Sequence, residues 1–186
     1  LDRDGTINEQ MGYINHLDRF VLLPGAGRAI ARLNRAGLAV VVVSNQSGLA
    51  RGYFPKELID QVHGRMRQEL AVDEARLDGI YYCPHYPRAN LAEYRVDCDC
   101  RKPRPGMLLK AAEELGLDLA RSFVVGDRSS DLEAGRAVGA KCILVLSGYG
   151  RGELEYVLPQ KDVQPDWVAE DLNAAADWIL ERIEGG

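Results

Sequence analysis

The sequence predicts an α/β fold: three layers, with helices on both faces of a mostly parallel central sheet. Three observations carry that expectation. Short β-branched or apolar runs alternate with segments of helical period. The runs are apolar throughout rather than alternating, as strands buried on both faces are. Polar and acidic residues gather where several of the runs end: Asp2 and Asp4, Ser44 and Asn45, and Asp127 with Asp131 a turn later. In an open parallel sheet, ligands bind outside the carboxyl ends of the strands, so these groups are expected to share one crevice.

The chain opens on Leu1-Asp2-Arg3-Asp4-Gly5-Thr6. Alternation along an extended backbone puts both carboxylates on one face, and Gly5 allows a sharp turn away. Two carboxylates so placed repel each other unless a cation sits between them or one takes a proton. A strand is expected to lead into this motif. Residues 7–20 lack a clear period and read as a loop over the site. Pro24-Gly25 opens a helix with Ala26, Ala29, Ile30 and Leu33 on one face, ending at Gly37. The run from Leu38 to Val43 is a strand, followed by the polar loop Ser44-Asn45-Gln46-Ser47-Gly48.

Pro55 starts a helix with Leu58, Ile59, Val62, Met66 and Leu70 inward. Ile80-Tyr81-Tyr82 is a short strand, and about 83–104 is a long loop holding Cys83, His85, Cys98 and Cys100. Loops this long without structure of their own are functional or disordered, and a metal would supply the order. Pro105 begins a helix with Met107, Leu108, Ala111, Ala112 and Leu115 inward, stopped by Gly116. Phe123-Val124-Val125 is a strand running into Gly126-Asp127. A helix over about 130–138, a strand over 142–146 and a last helix over about 172–183 complete the reading. In the last helix, Leu172, Ala175, Ala176, Ile179 and Ile183 face inward.

The 186 residues suit one domain with a real core, so the whole of 1–186 is expected to be a single unit. Net charge of -5 argues against a nucleic-acid-coating surface, and an anionic ligand would have to be held by local cations. No apolar run approaches membrane-spanning length and no signal peptide is found, and neither nucleic acid nor membrane is an expected partner; the expected location is cytoplasmic, on grounds other than the lack of a signal. Nothing requires an oligomer, and a monomer is the default expectation. Gly25-Ala26-Gly27 has Ile30 where a dinucleotide fingerprint needs its third glycine, and reads as a turn entering a helix. The absence of a P-loop pattern argues against ATP as substrate. Cys142 reads as a core thiol, His63 as structural, His16 as a loop residue, and 148–152 as a strand-end loop near the site mouth.

Taken together, Asp2-Arg3-Asp4-Gly5-Thr6, Ser44, Lys102 and Gly126-Asp127-Arg128-Ser129-Ser130-Asp131 resemble, in order, the four motifs of the haloacid dehalogenase (HAD) superfamily. The resemblance runs through almost the whole chain and implies a Rossmann-like HAD fold and a phosphatase. It implies Asp2 as nucleophile, forming an aspartyl-phosphate, and Asp4 as general acid and base. It implies Mg2+ held by Asp2, the backbone carbonyl of Asp4 and Asp127. Ser44 and Lys102 would stabilise the phosphoryl group, Asn45 would supply a further donor, and Asp131 would orient Lys102 or a metal water. Superfamily ion pumps carry threonine where Asp4 stands and dehalogenases lack this acid, so its presence favours phosphate hydrolysis.

Cys83-Pro84-His85 and Cys98-Asp99-Cys100 form two pairs of zinc-type ligands on either side of a loop. Four protein ligands make a closed structural Zn2+ site. The alternatives are reduced cysteines without metal or a disulfide; Cys98 and Cys100 are too close in sequence to bridge easily, and a disulfide leaves His85 unexplained. The zinc loop, with no large cap domain, is similar to that of the heptose bisphosphatases and histidinol-phosphatases of the superfamily. Both groups carry a Cys-x-Cys-Arg-Lys-Pro stretch, so 98–103 does not separate them. The stretches 44–52 and 105–109 look like the heptose enzymes, with Ser44 in place of their usual threonine and Arg128 in place of a frequent lysine. That likeness implies a Mg2+-dependent sugar bisphosphatase of nucleotide-activated heptose synthesis for the cell envelope. Its small-molecule substrate would lie against Gln10, Met11, Gly12, Tyr13, Ser44, Asn45, Gln46, Ser47, Arg101, Lys102 and Arg128. The competing readings are a histidinol-phosphatase and, in another class, a catalytically silent zinc-stapled scaffold.

Overall fold

The computed structural model describes residues 1–184; Gly185 and Gly186, the end of the expected domain, lie outside the described residues. Strand β1 (Val41–Asn45) pairs in parallel with β2 (Gly79–Cys83), in the register Val41 to Gly79 through Asn45 to Cys83. Strand β3 (Phe123–Gly126) pairs in parallel with β4 (Lys141–Val145), which pairs in parallel with β5 (Trp167–Ala169). The chain start joins the two groups. The Leu1 nitrogen donates to the Val41 carbonyl at 2.7 Å and Val43 N–H to the Leu1 carbonyl at 2.8 Å. On the other side Asp2 N–H donates to the Val125 carbonyl at 2.8 Å. Asp2 is thereby fixed between β1 and β3, in the middle of the sheet.

Strand alternation builds the three layers. Val42, Val125, Ile143 and Val145 face a core closed by α1 (Ala26–Arg35), α2 (Lys56–Ala71) and α6 (Leu172–Glu184). Val43, Val124, Cys142 and Leu144 face the opposite way, under α3 (Gly106–Leu115) and α4 (Ser129–Arg136). The helices form where apolar residues recur at helical spacing: Ala26, Ala29, Ile30 and Leu33 of α1 are all buried, as are Ile59, Val62, Met66 and Leu70 of α2. α3 stops at Gly116 in the left-handed conformation that glycine accepts without strain.

Several boundaries differ from the sequence reading. β1 begins at Val41 and carries Ser44 and Asn45 within it, because pairing with β2 starts only at Gly79. Leu115, expected inward, is exposed, and Ala112 is only half-buried, so the buried stripe of α3 is carried by Met107, Leu108 and Ala111. Residues 150–152 form a helical turn, α5 (Gly150–Gly152), continued by a wider π-type turn over Glu153–Val157 and a tighter 3-10 turn over Leu158–Gln160. The edge strand β5 escaped the sequence reading altogether, since three residues with Trp167 half exposed leave no period to see. Cys142 is a core thiol, fully buried, its sulfur donating to the Leu132 carbonyl.

Candidate active site

The polar strand ends converge as expected. They line a cavity of about 410 Å³ with Asp2, Ser44, Asn45, Lys102, Arg128 and Asp131 among its walls. Lys102, only 5 % exposed, crosses from the long loop into the sheet. Its Nζ lies 2.7 Å from Asp2 Oδ1, 2.6 Å from Asp131 Oδ1 and 2.7 Å from the Val43 carbonyl oxygen. Burial disfavours its charge, but Asp131 and Asp2 outweigh that and raise its pKa. Asp131 in turn accepts from Arg128 N–H at 3.1 Å through Oδ2, which commits both its oxygens.

Asp2 is pushed up to about 6, chiefly by burial, with Lys102 opposing and Asp131 reinforcing the shift. Asp127 is fully buried and pushed up to about 8, first by burial and then by the charge of Asp2. Its Oδ2 accepts from Tyr149 N–H at 2.8 Å, while its Oδ1 is buried with no partner. A Cβ on Gly5 or on Gly148 would stand 2.1 or 2.2 Å from Asp127 Oδ2, so only glycine lets both loops close on this carboxylate. Both glycines also have positive φ. Carboxylate oxygens of Asp2, Asp127 and Asp131 lie within 4.8 Å of one another. An orphaned buried carboxylate oxygen beside a second carboxylate is the donor set a hard cation requires. Asp131 is already spent on Lys102 and Arg128, so Asp2 and Asp127 are the carboxylates of this group with an oxygen left for a cation.

Asp4 is held differently. Arg3, itself 2 % exposed, grips it with Nη2 at 2.9 and 2.7 Å from the two oxygens. Asn8 Nδ2 donates to Oδ1 at 2.9 Å and Gln46 Nε2 to Oδ2 at 2.8 Å. Burial alone would raise Asp4; the Arg3 charge and these hydrogen bonds outweigh it and keep the pKa below the usual range. Behind Arg3 lies His63 on α2, with Nε2 3.4 Å from Arg3 Nη1. Burial and then the Arg3 charge lower His63 to about 4, so it is neutral at pH 7.

The structure redistributes some expected site residues. Gln10, Gly12, Tyr13, Ser44, Asn45, Ser47, Arg101, Lys102 and Arg128 line the cavity. Met11 does not; it packs on the main core. Gln46 is buried and spends its amide on Asp4 and on Ser44 Oγ. Asn45, expected as a phosphate donor, uses its amide on the backbone of Lys102: Nδ2 donates to the carbonyl at 3.0 Å and Oδ1 accepts from N–H at 3.1 Å. His16 is exposed beside Asp18 and away from the cavity. Arg51 and Ser130 also line it without having been singled out as site residues, and so does Tyr149, from the loop expected near the site mouth. The first lay in plain view, an arginine before a glycine in the polar loop after β1.

The long loop is drawn together at Cys83, His85, Cys98 and Cys100, whose ligand atoms lie within 4.8 Å of one another. Sulfur–sulfur separations of 3.0, 3.1 and 3.5 Å exclude a disulfide, and all four cysteines of the chain are free. Three cysteine sulfurs and one imidazole nitrogen gathered this closely are the donor set of a closed, tetrahedral zinc site.

The family described as "HAD-hyrolase-like" matches residues 99–175. Among curated relatives, the D-glycero-beta-D-manno-heptose-1,7-bisphosphate 7-phosphatase of Escherichia coli K12 is 44% identical over 179 residues, covering 95% of this chain and 88% of that one. The D-glycero-D-manno-heptose-1,7-bisphosphate 7-phosphatase of Thermosynechococcus vestitus is 43% identical, covering 98% and 95%. Among solved structures, the D,D-heptose 1,7-bisphosphate phosphatase of B. bronchiseptica, complexed with magnesium and phosphate, superposes with a TM-score of 0.85 at 38% identity, covering 97% of this chain and 96% of that one.

Proposed function

The chain belongs to the D-glycero-D-manno-heptose-1,7-bisphosphate 7-phosphatase family of HAD-like hydrolases, and from that premise we propose that it removes the 7-phosphate of D-glycero-D-manno-heptose 1,7-bisphosphate through an aspartyl-phosphate on Asp2. The observation that carries the reading is the buried Asp2–Lys102–Asp131 group at the foot of a cavity lined by arginines. Phosphoryl transfer needs an in-line nucleophile and cations around the equatorial oxygens, and little else.

Asp2 attacks phosphorus, and Lys102 and the Ser44 hydroxyl hold phosphoryl oxygens as charge moves onto them. Asp131 keeps Lys102 charged and in place, and Asn45 fixes its backbone. Asp4 is ionised while Arg3, Asn8 and Gln46 donate to it. The approach of an anionic phosphate raises a neighbouring carboxyl's pKa, so Asp4 takes up a proton as substrate docks. It then delivers that proton to the leaving oxygen and, as carboxylate again, accepts one from the water that hydrolyses the aspartyl-phosphate. Asp2, Asp127 and the Asp4 carbonyl would hold Mg2+, which supplies positive charge against the transferring group. Cys83, His85, Cys98 and Cys100 would hold a structural Zn2+ with no open position for water or substrate. Gln10, Gly12, Tyr13, Ser47, Arg101 and Arg128 receive the sugar and its second phosphate.

We place this activity in one phosphatase unit over 1–186, acting in the cytoplasm as a monomer, in the synthesis of nucleotide-activated heptose for the cell envelope. The test is a phosphate-release screen with both heptose bisphosphate anomers, fructose 1,6-bisphosphate and histidinol phosphate. A heptose bisphosphate is expected to give the highest kcat/KM. Preference for histidinol phosphate would favour the sister activity, and silence on all four would favour a scaffold.

A further inference from the structure

Two arginines share one tyrosine at the cavity's edge. The Arg51 guanidinium lies over the Tyr86 ring at 4.0 Å from its centroid, and Arg101 lies 5.4 Å from the same centroid. Both line the cavity that holds Asp2. The ion pairs made by arginines with carboxylates in the described residues include neither of them. Arg51 Nε is moreover buried without a hydrogen-bond partner. A guanidinium carries five donors in a rigid fork and binds anions through its edge. Stacked on a ring by its face, it keeps that edge free. Two like charges gathered on one ring, with no carboxylate paired to either among the described residues and a donor unspent, have the makings of an anion-binding site.

The backbone fixes this pair to the zinc-type loop. Arg51 carbonyl oxygen accepts from Asn90 Nδ2 at 3.0 Å, and Leu91 N–H donates to the Ala50 carbonyl at 3.1 Å. Arg101 Nη1 donates to the His85 carbonyl at 3.2 Å. The reacting phosphoryl group has its own cation in Lys102, inside the sheet and 2.7 Å from Asp2. Arg51 stands apart from that position and is left for a second anionic group.

We propose that Arg51, seated on Tyr86 beside Arg101, is a specificity-determining residue that binds the distal, non-reacting phosphate of the substrate. This rests on the bisphosphatase reading above. The test is steady-state kinetics of wild type, Arg51→Ala, Arg51→Lys and Tyr86→Leu on heptose bisphosphate and on p-nitrophenyl phosphate, which has no second phosphate. Arg51→Ala is expected to raise KM for the bisphosphate at least about tenfold with kcat within about threefold, and to move KM for the small ester by less than about threefold. Arg51→Lys should recover only part of the loss, since an ammonium lacks the fork. Tyr86→Leu should shift the same KM in the same direction by less. Equal losses on both substrates, or no loss on the bisphosphate, would overturn the assignment. If wild type itself shows no preference for any bisphosphate, the functional reading fails; if wild type prefers the bisphosphate and Arg51→Ala keeps that preference, the assignment of Arg51 fails alone.

Discussion

At Asp127, burial and the neighbouring Asp2 raise the carboxyl to about 8, far above the 3.8 of a free aspartate. The folded protein without cation therefore holds a proton there at pH 6 and loses it as pH rises through 8. A cation needs the carboxylate, so at pH 6 it must first displace the proton. The half-saturating Mg2+ concentration should fall as pH rises from 6 to 8, and the Mg2+-induced rise in Tm should be larger at pH 8. A pH-independent Mg2+ titration would count against Asp127 as ligand. Asn45 is a second residue whose work shows only in three dimensions. Its two hydrogen bonds to the Lys102 backbone aim the lysine. Asn45→Ala should lower kcat by about tenfold to a hundredfold, the scale of a 1 Å misplacement, with KM much less affected. A rise in KM alone would return Asn45 to direct substrate binding. The sequence displayed an asparagine after Ser44 but gave no means of telling a phosphate donor from a backbone clamp. The clamp on Asp4 was hidden for the same reason: Arg3, Asn8 and Gln46 meet only because three separate segments fold over one carboxylate.

The element with the widest reach is the loop over about 83–104. It begins at the last residue of β2, passes through Cys98 and Cys100, and delivers Lys102 to Asp2. Lys102 lies two residues after Cys100, a reach of at most about 7 Å, so whatever fixes the cysteine also fixes the lysine's backbone. Cys100→Ser should therefore lose zinc and most turnover while the residual activity still requires Mg2+, and excess Mg2+ should not restore it. Metal analysis alongside kinetics decides this; full kcat in a zinc-free protein would separate the loop's order from catalysis. Long, strongly periodic or wholly apolar elements were legible in sequence, as α1, α2 and β4 illustrate. β5 was not, because three residues at a sheet edge take their conformation from pairing with β4 rather than from their own pattern. The turns over 150–160 were likewise missed, since Gly148, Gly150 and Gly152 read as loop until Tyr149 N–H is seen bonded to Asp127.

For the molecule as a whole, the ordering of motifs along the chain predicted that distant carboxylates, a serine and a lysine would meet at one end of a parallel sheet. They do, with Lys102 and Asp2 a hundred residues apart in sequence and 2.7 Å apart in space. What the order could not convey was the rim. Arg51, Tyr86 and Tyr149 come from three loops, and their convergence depends on how those loops pack. The rim matters because the chain carries a net charge of -5, while its cavity gathers Arg51, Arg101, Arg128 and Lys102. Such a cavity offers two anionic positions: a buried one for the phosphoryl group that leaves and an outer one for the phosphate that stays. The measurement that tests this most directly is 31P NMR of heptose 1,7-bisphosphate turned over by wild type and by Asp2→Asn, with circular dichroism confirming that the variant is folded. Wild type should replace the 7-phosphate resonance with inorganic phosphate while the anomeric phosphate signal persists, and Asp2→Asn should release no phosphate. Loss of the anomeric phosphate instead, or phosphate release by folded Asp2→Asn, would contradict the account.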